Sequence, residues 1–122
     1  MIRANEIRFG NKLSYTEDGR SICTVFAVEG NEIGVEDLES PTWENESNLY
    51  PIPLTTEVLS RCLLFGKNNK DYPYKLFKGS LRMRNGQYFW KYHMMVIELP
   101  YLHDLQNLYY ILSNKRELEI NL

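Results

Sequence analysis

The chain has 122 residues, 43% of them hydrophobic and 25% charged, with a formal net charge of −2, a length that fits one domain or two very small ones packed together. Its 9 Tyr, 5 Phe and 2 Trp supply bulk for a core and argue against intrinsic disorder, while no apolar run approaches the ~20 residues that cross a bilayer. The opening Met1-Ile2-Arg3-Ala4-Asn5-Glu6 lacks the apolar stretch of a signal peptide, and Cys23 and Cys62 are too few for a disulfide scaffold, so a cytoplasmic protein is expected.

The first fifty residues read as short strands separated by turns. Lys12-Leu13-Ser14-Tyr15-Thr16 is followed by the turn signal Glu17-Asp18-Gly19. Ser21–Glu29 carries β-branched and aromatic residues, and Gly30-Asn31 connects it to the alternating Glu32-Ile33-Gly34-Val35-Glu36. That spacing predicts a hairpin within a small SH3-like β-barrel. Ser40–Asn48 is polar and turn-like. Pro51 and Pro53 then hold the chain extended, which places a subdomain boundary there.

Thr55 is a candidate N-cap with Glu57 in the first turn, and Val58, Leu59, Cys62 and Leu63 form one stripe of a helix running to about Leu64. A loop over Gly66–Asp71 follows. Asn85-Gly86 lies between two β-prone runs and is the preferred pair for a two-residue type I′ turn. The register it dictates puts Leu81, Met83, Tyr88, Trp90 and Tyr92 on a core face and Arg82, Arg84, Gln87, Phe89 and Lys91 on the other. Met94-Met95-Val96-Ile97 is apolar throughout and predicts that the second strand continues into the interior. Pro100 suits the first turn of a helix whose stripe is Tyr101, Leu102, Leu105, Leu108, Tyr109 and Leu112, with Asn114 as its C-cap. Glu117–Ile120 alternates and reads as a short terminal strand.

The expected architecture is α+β. An SH3-like β unit (1–50) packs on a unit (51–122) made of a helix, an antiparallel hairpin or three-stranded sheet, and a C-terminal helix; the two read equally as one compact domain. Pro51-Ile52-Pro53-Leu54-Thr55, His103-Asp104-Leu105-Gln106-Asn107-Leu108-Tyr109 and Ile7-Arg8-Phe9-Gly10-Asn11 resemble the PIPLT, HxLQNLY and LRIGN segments of a family of small, uncharacterised proteins. That family occurs in Bacteroides-type bacteria and their mobile elements. The resemblance implies a cytoplasmic origin and a prophage or conjugative-element context. Ser113-Asn114 stands where the family usually has Thr-Gly. The family has no assigned activity, so the resemblance carries no catalytic residue to this chain.

Chemistry-bearing motifs are sparse. His93 and His103 have no partner at zinc-ligand spacing, the cysteines form no C-x-x-C, and no glycine cluster precedes a helix. No metal, cofactor or catalytic residue is assigned. His103, Gln106 and Tyr110 fall at i, i+3 and i+7 of the last helix, a ridge open to a partner-binding or a structural role.

Charge segregates along the chain. Residues 1–50 carry four basic against ten acidic side chains, and residues 51–99 carry eight basic against three acidic, for nets of −6 and +5. Opposite halves of this kind point to a binding surface or to self-association. The basic excess surrounds the hairpin, where cations interleave with aromatic rings as a nucleic-acid surface requires. Arg82, Arg84, Phe89 and Lys91 are the candidate contacts, with Lys75 and Lys78 extending the patch. The expected function is a non-catalytic module that binds nucleic acid, single-stranded or RNA for preference. The alternative is a protein-interaction or accessory module of a prophage or mobile element.

Overall fold

Alternating apolar and polar residues over 12–45 are realised as four antiparallel strands: β1 (Lys12–Ser14), β2 (Ile22–Glu29), β3 (Glu32–Glu36) and β4 (Pro41–Asn45). The computed structural model describes residues 2–37, 40–62 and 74–122, and the chain divides into two compact units, Met1–Ile52 and Pro53–Leu122. The fold is α+β, with one four-stranded antiparallel sheet in each unit. The predicted loop over Gly66–Asp71, together with Leu63, Leu64, Phe65 and Tyr72, lies outside the described residues.

In the first unit the strand order is β1-β2-β3-β4, with Glu29 opposite Glu32 across the Gly30-Asn31 turn as the sequence predicts. Leu13, Cys23, Val25, Ile33 and Val35 point to one side and form a core with Ile2, Ala4 and Leu49. Each fully buried aliphatic side chain there contributes about 1.5–3 kcal/mol relative to exposure. Two features depart from expectation. The segment read as turn-like contains β4, because Thr42 and Trp43 are good strand formers and pair with Val35 and Gly34 along the open edge of β3. No pairing joins β1 to β4 among the described residues, so the sheet is not closed into the expected barrel; the free side of β1 makes a single bridge, Ser14 to Tyr50.

In the second unit Thr55 is the N-cap of α1 (Thr56–Ser60), its hydroxyl accepting from the Val58 N–H at 3.2 Å. The described helix ends at Ser60, short of the expected Leu64. Strands β5 (Tyr74–Leu76), β6 (Gly79–Arg84), β7 (Gln87–Tyr92) and β8 (Met95–Leu99) then form a meander in sequence order. This is one strand more than the widest sheet expected. The hairpin register is the predicted one: Leu81 opposite Trp90, Arg82 opposite Phe89, Met83 opposite Tyr88 and Arg84 opposite Gln87. Asn85 and Gly86 both take positive φ, 52° and 78°, as the type I′ turn needs.

The inner face of this sheet is tightly filled. Trp90 lies over Gly79, where an added Cβ would come within 2.4 Å of the indole. The indole N–H donates to the buried Leu76 carbonyl at 3.1 Å. Tyr88 is buried and its hydroxyl meets that of Thr56 at 3.0 Å. Beyond Tyr92 the strand does not run on into the interior. His93 (φ 53°) and Met94 make a second two-residue turn into β8, and Met94, Met95 and Val96 are exposed. Neither turn residue is Gly or Asn, which is why the composition concealed it.

Helix α2 (Leu102–Leu112) has Tyr101 as its N-cap residue, whose N–H donates to the Asp104 carboxylate at 3.2 Å. Pro100 therefore precedes the helix instead of opening it. The C-cap is Ser113, and Asn114 follows in the left-handed region (φ 60°). Lys115 N–H then returns to the Tyr110 carbonyl at 2.8 Å, a Schellman closure. The predicted terminal strand is reduced to one bridge, Ile120 to Cys62.

Candidate nucleic-acid interface

Period-two geometry assigns the outer face of the second sheet. With Leu81, Tyr88, Trp90 and Leu99 turned inward and buried, their alternates Arg82, Arg84, Gln87, Phe89, Lys91, Val96 and Glu98 share the opposite face. These seven, joined by Asn85 and Tyr88, line a concavity of about 300 Å³. All four principal sequence candidates, Arg82, Arg84, Phe89 and Lys91, are therefore brought together at one place.

Phe89 forms the apolar part of this concavity and is half-buried, while Arg82, Arg84 and Lys91 are exposed. The Arg84 guanidinium lies over the Phe89 ring, 5.5 Å from its centroid. That is cation–π geometry, worth about 0.5–1 kcal/mol at an exposed site. Arg82, directly opposite Phe89, turns elsewhere, its Nε donating to Ser80 Oγ at 3.0 Å. Among the described residues the Lys91 and Glu98 side chains take no hydrogen-bond or ion-pair partner. The concavity thus combines one ring face, three cations and one carboxylate.

Lys75 stands on the same face, in a cross-strand row with Ser80 and Lys91, but outside the concavity. Lys78 lies in the β5–β6 turn beside Phe77, which adopts φ 55° and packs on Tyr109 at 5.6 Å. Both lysines are exposed. Sequence reasoning missed Val96 and Glu98, because it ran the second strand inward; carrying the alternation through a turn at His93-Met94 would have placed both.

His103 and Gln106 are 3% and 1% exposed and Tyr110 is half-buried, so they form no exposed ridge. The His103 ring stacks on Tyr101 at 5.8 Å, with Nε2 3.5 Å from Asp104 Oδ1. Both cysteines are buried free thiols, and burial pushes each up to about 12, aided at Cys23 by the Asp37 and Glu44 carboxylates. They are protonated at neutral pH and are poor nucleophiles there. Among the described residues no three His, Cys, Asp or Glu side chains gather as a metal site, and no helix is long and apolar enough to cross a membrane.

Sequence reasoning also missed the outer face of the first sheet. A register shift between Val25 and Ala27 marks a bulge at Phe26, whose ring lies over Gly34 and meets Trp43 edge-on at 5.8 Å. Trp43 is 48% exposed. Comparison with protein-family models, curated proteins and solved structures gives no match for this chain.

Proposed function

We propose that this chain is a non-catalytic module that binds single-stranded nucleic acid, RNA for preference, on the outer face of its second sheet. The observation that carries the reading is Phe89: a half-buried ring in a concavity also lined by Arg82, Arg84 and Lys91, on a face otherwise polar except for Val96. A base stacks on the open part of the ring beside the Arg84 guanidinium, while Arg82 and Lys91 neutralise the flanking phosphates. Lys75, in the same row as Lys91, extends the track.

The test is fluorescence anisotropy with pooled single-stranded RNA and DNA at low salt, followed by a salt titration. Three phosphate contacts, from Arg82, Lys91 and Lys75, correspond to a slope of log K against log salt of about −2. Phe89→Ala removes the stacking surface and weakens binding by about 1–3 kcal/mol at fixed salt. Arg82→Ala with Arg84→Ala flattens the slope. Absence of binding at low salt, or binding indifferent to all three substitutions, refutes the proposal. The exposed apolar turn and strand at Met94, Met95 and Val96 favour the second reading, a protein-interaction module.

A further inference from the structure

Among the described residues, strand β8 closes one side of the second sheet and is paired only to β7. Tyr92 and Met95 flank the two-residue turn as a hydrogen-bonded pair, so Met95, Ile97 and Leu99 bond back to β7. The backbone N–H and C=O groups of Val96 and Glu98 consequently point away from the sheet. Among the described residues no backbone partner outside the sheet takes them up. Past the strand, Leu54 N–H donates to the Pro100 carbonyl and Pro53 bridges Tyr101. Met94, Met95 and Val96 are 94%, 54% and 54% exposed along this edge.

Open edges template pairing with another chain unless they are short, charged, bulged or covered. The other outermost strands follow that rule. β1 is bridged to Tyr50, β4 begins on Pro41 and carries Glu44, and β5 has three residues. β8 has five residues, a regular register, no proline and no lysine.

We propose that β8 is a self-recognition edge, through which two copies of this chain join antiparallel about a two-fold axis at Ile97. Val96 of one copy then lies opposite Glu98 of the other. Their outward N–H and C=O groups close four backbone hydrogen bonds, and Ile97 meets Ile97. The two sheets become one of eight strands, from four in each copy. The register also disposes of the one charge on the strand: Glu98 faces Val96, not a second Glu98. Lys91 of the opposite copy lies two strand spacings away, roughly 10 Å between backbones, within reach of two extended side chains. Among the described residues neither group has a partner in a single copy. Because the axis is perpendicular to the sheet, both concavities open on the same side.

One strand pair buries less than the roughly 1,600 Å² of a standard interface, so dimerisation is concentration-dependent. Sedimentation equilibrium of the full chain without nucleic acid is expected to move from the 14.5 kDa monomer towards twice that mass at high micromolar concentration. Val96→Pro removes an N–H that β7 does not use, and is expected to stay monomeric with an unchanged circular dichroism spectrum. Ile97→Cys is expected to form a disulfide-linked dimer on mild oxidation, since both native thiols are buried. A wild-type chain that stays monomeric throughout, a dimer that persists in Val96→Pro, or a dimer that Ile97→Cys cannot cross-link would each overturn the proposal.

Discussion

Replacing Gly79 by Ala tests whether Trp90 is locked as its contacts imply. The new Cβ would sit 2.4 to 2.6 Å from three indole atoms, inside any real contact distance. The indole must move, and it is 4% exposed and hydrogen-bonded to Leu76, so it has little room. Overpacking of this kind costs about 1–3 kcal/mol. Weakening the buried N–H to carbonyl bond adds about 1 kcal/mol. Against this, alanine lowers the entropy of the unfolded chain by about 0.4–1 kcal/mol. The net loss is about 2 kcal/mol, and with a urea slope near 1 kcal/mol/M the midpoint falls by about 2 M. Far-ultraviolet circular dichroism follows the unfolding, a signal that does not depend on Trp90. The decisive measurement is the double-mutant cycle with Trp90→Phe. That change alone costs about 1–3 kcal/mol, but in the Gly79→Ala background it relieves the clash, so the two must couple by more than about 1 kcal/mol. If Gly79→Ala unfolds within about 0.5 kcal/mol of wild type, or the two substitutions add, the packing argument fails.

Two further perturbations follow from backbone and titration chemistry. Gly86→Ala places a side chain at φ 78° with nothing within 4 Å to strike, so its whole cost is conformational. A loss of about 1 kcal/mol is expected by urea unfolding, with Gly86→Asn recovering part of it; equal losses for both would argue against a left-handed requirement. Burial raises Cys23 and Cys62 from an ordinary value near 9 to about 12. A raised folded value means that the stabilisation is complete below about pH 9 and is lost as the pH rises towards 12, because only the unfolded thiol ionises in that window. Each thiol therefore steepens the alkaline loss of stability by about 1.4 kcal/mol per pH unit. Urea midpoints over that range should fall less steeply in Cys23→Ala and in Cys62→Ala, and unchanged slopes would contradict the burial-driven shift.

The parts of the fold legible in the sequence were those where one local signal leaves no alternative. Asn85-Gly86 determines turn length, and turn length determines every pairing from Leu81–Trp90 to Arg84–Gln87. Thr55 caps its helix for a similarly local reason. Long-range pairing overrode local composition elsewhere. The polar Pro41–Asn45 becomes a strand because β3 offers it an edge, and His93 takes φ 53° because pairing of β7 with β8 requires a two-residue turn there. A non-glycine residue in that region costs on the order of 1 kcal/mol, an expense invisible in the sequence because the ladder on either side outweighs it. The ridge of His103 and Gln106 looked polar from spacing alone, and only tertiary packing shows it buried.

The candidate interface owes its existence to the same register that makes the core. A slip of one residue at the β6–β7 turn would turn one strand over against the other, taking Leu81 and Met83 outward and Arg82 and Arg84 inward if β6 moved, or Tyr88 and Trp90 outward and Phe89 and Lys91 inward if β7 moved. Each apolar side chain so exposed forfeits about 1.5–3 kcal/mol, and unpaired buried cations cost more. The core therefore enforces the outer face, and substitutions on that face leave the enforcement intact. Phe89 is the exception within the pattern: an aromatic ring on a face that is otherwise polar apart from Val96, where a glutamine or a lysine would serve the sheet equally well. A residue that breaks local consistency without strengthening the core is where function is expected. Phe89→Ala thus separates the two roles: normal folding with normal nucleic-acid affinity would leave the ring with no functional account, whereas normal folding with lost affinity assigns it to the ligand.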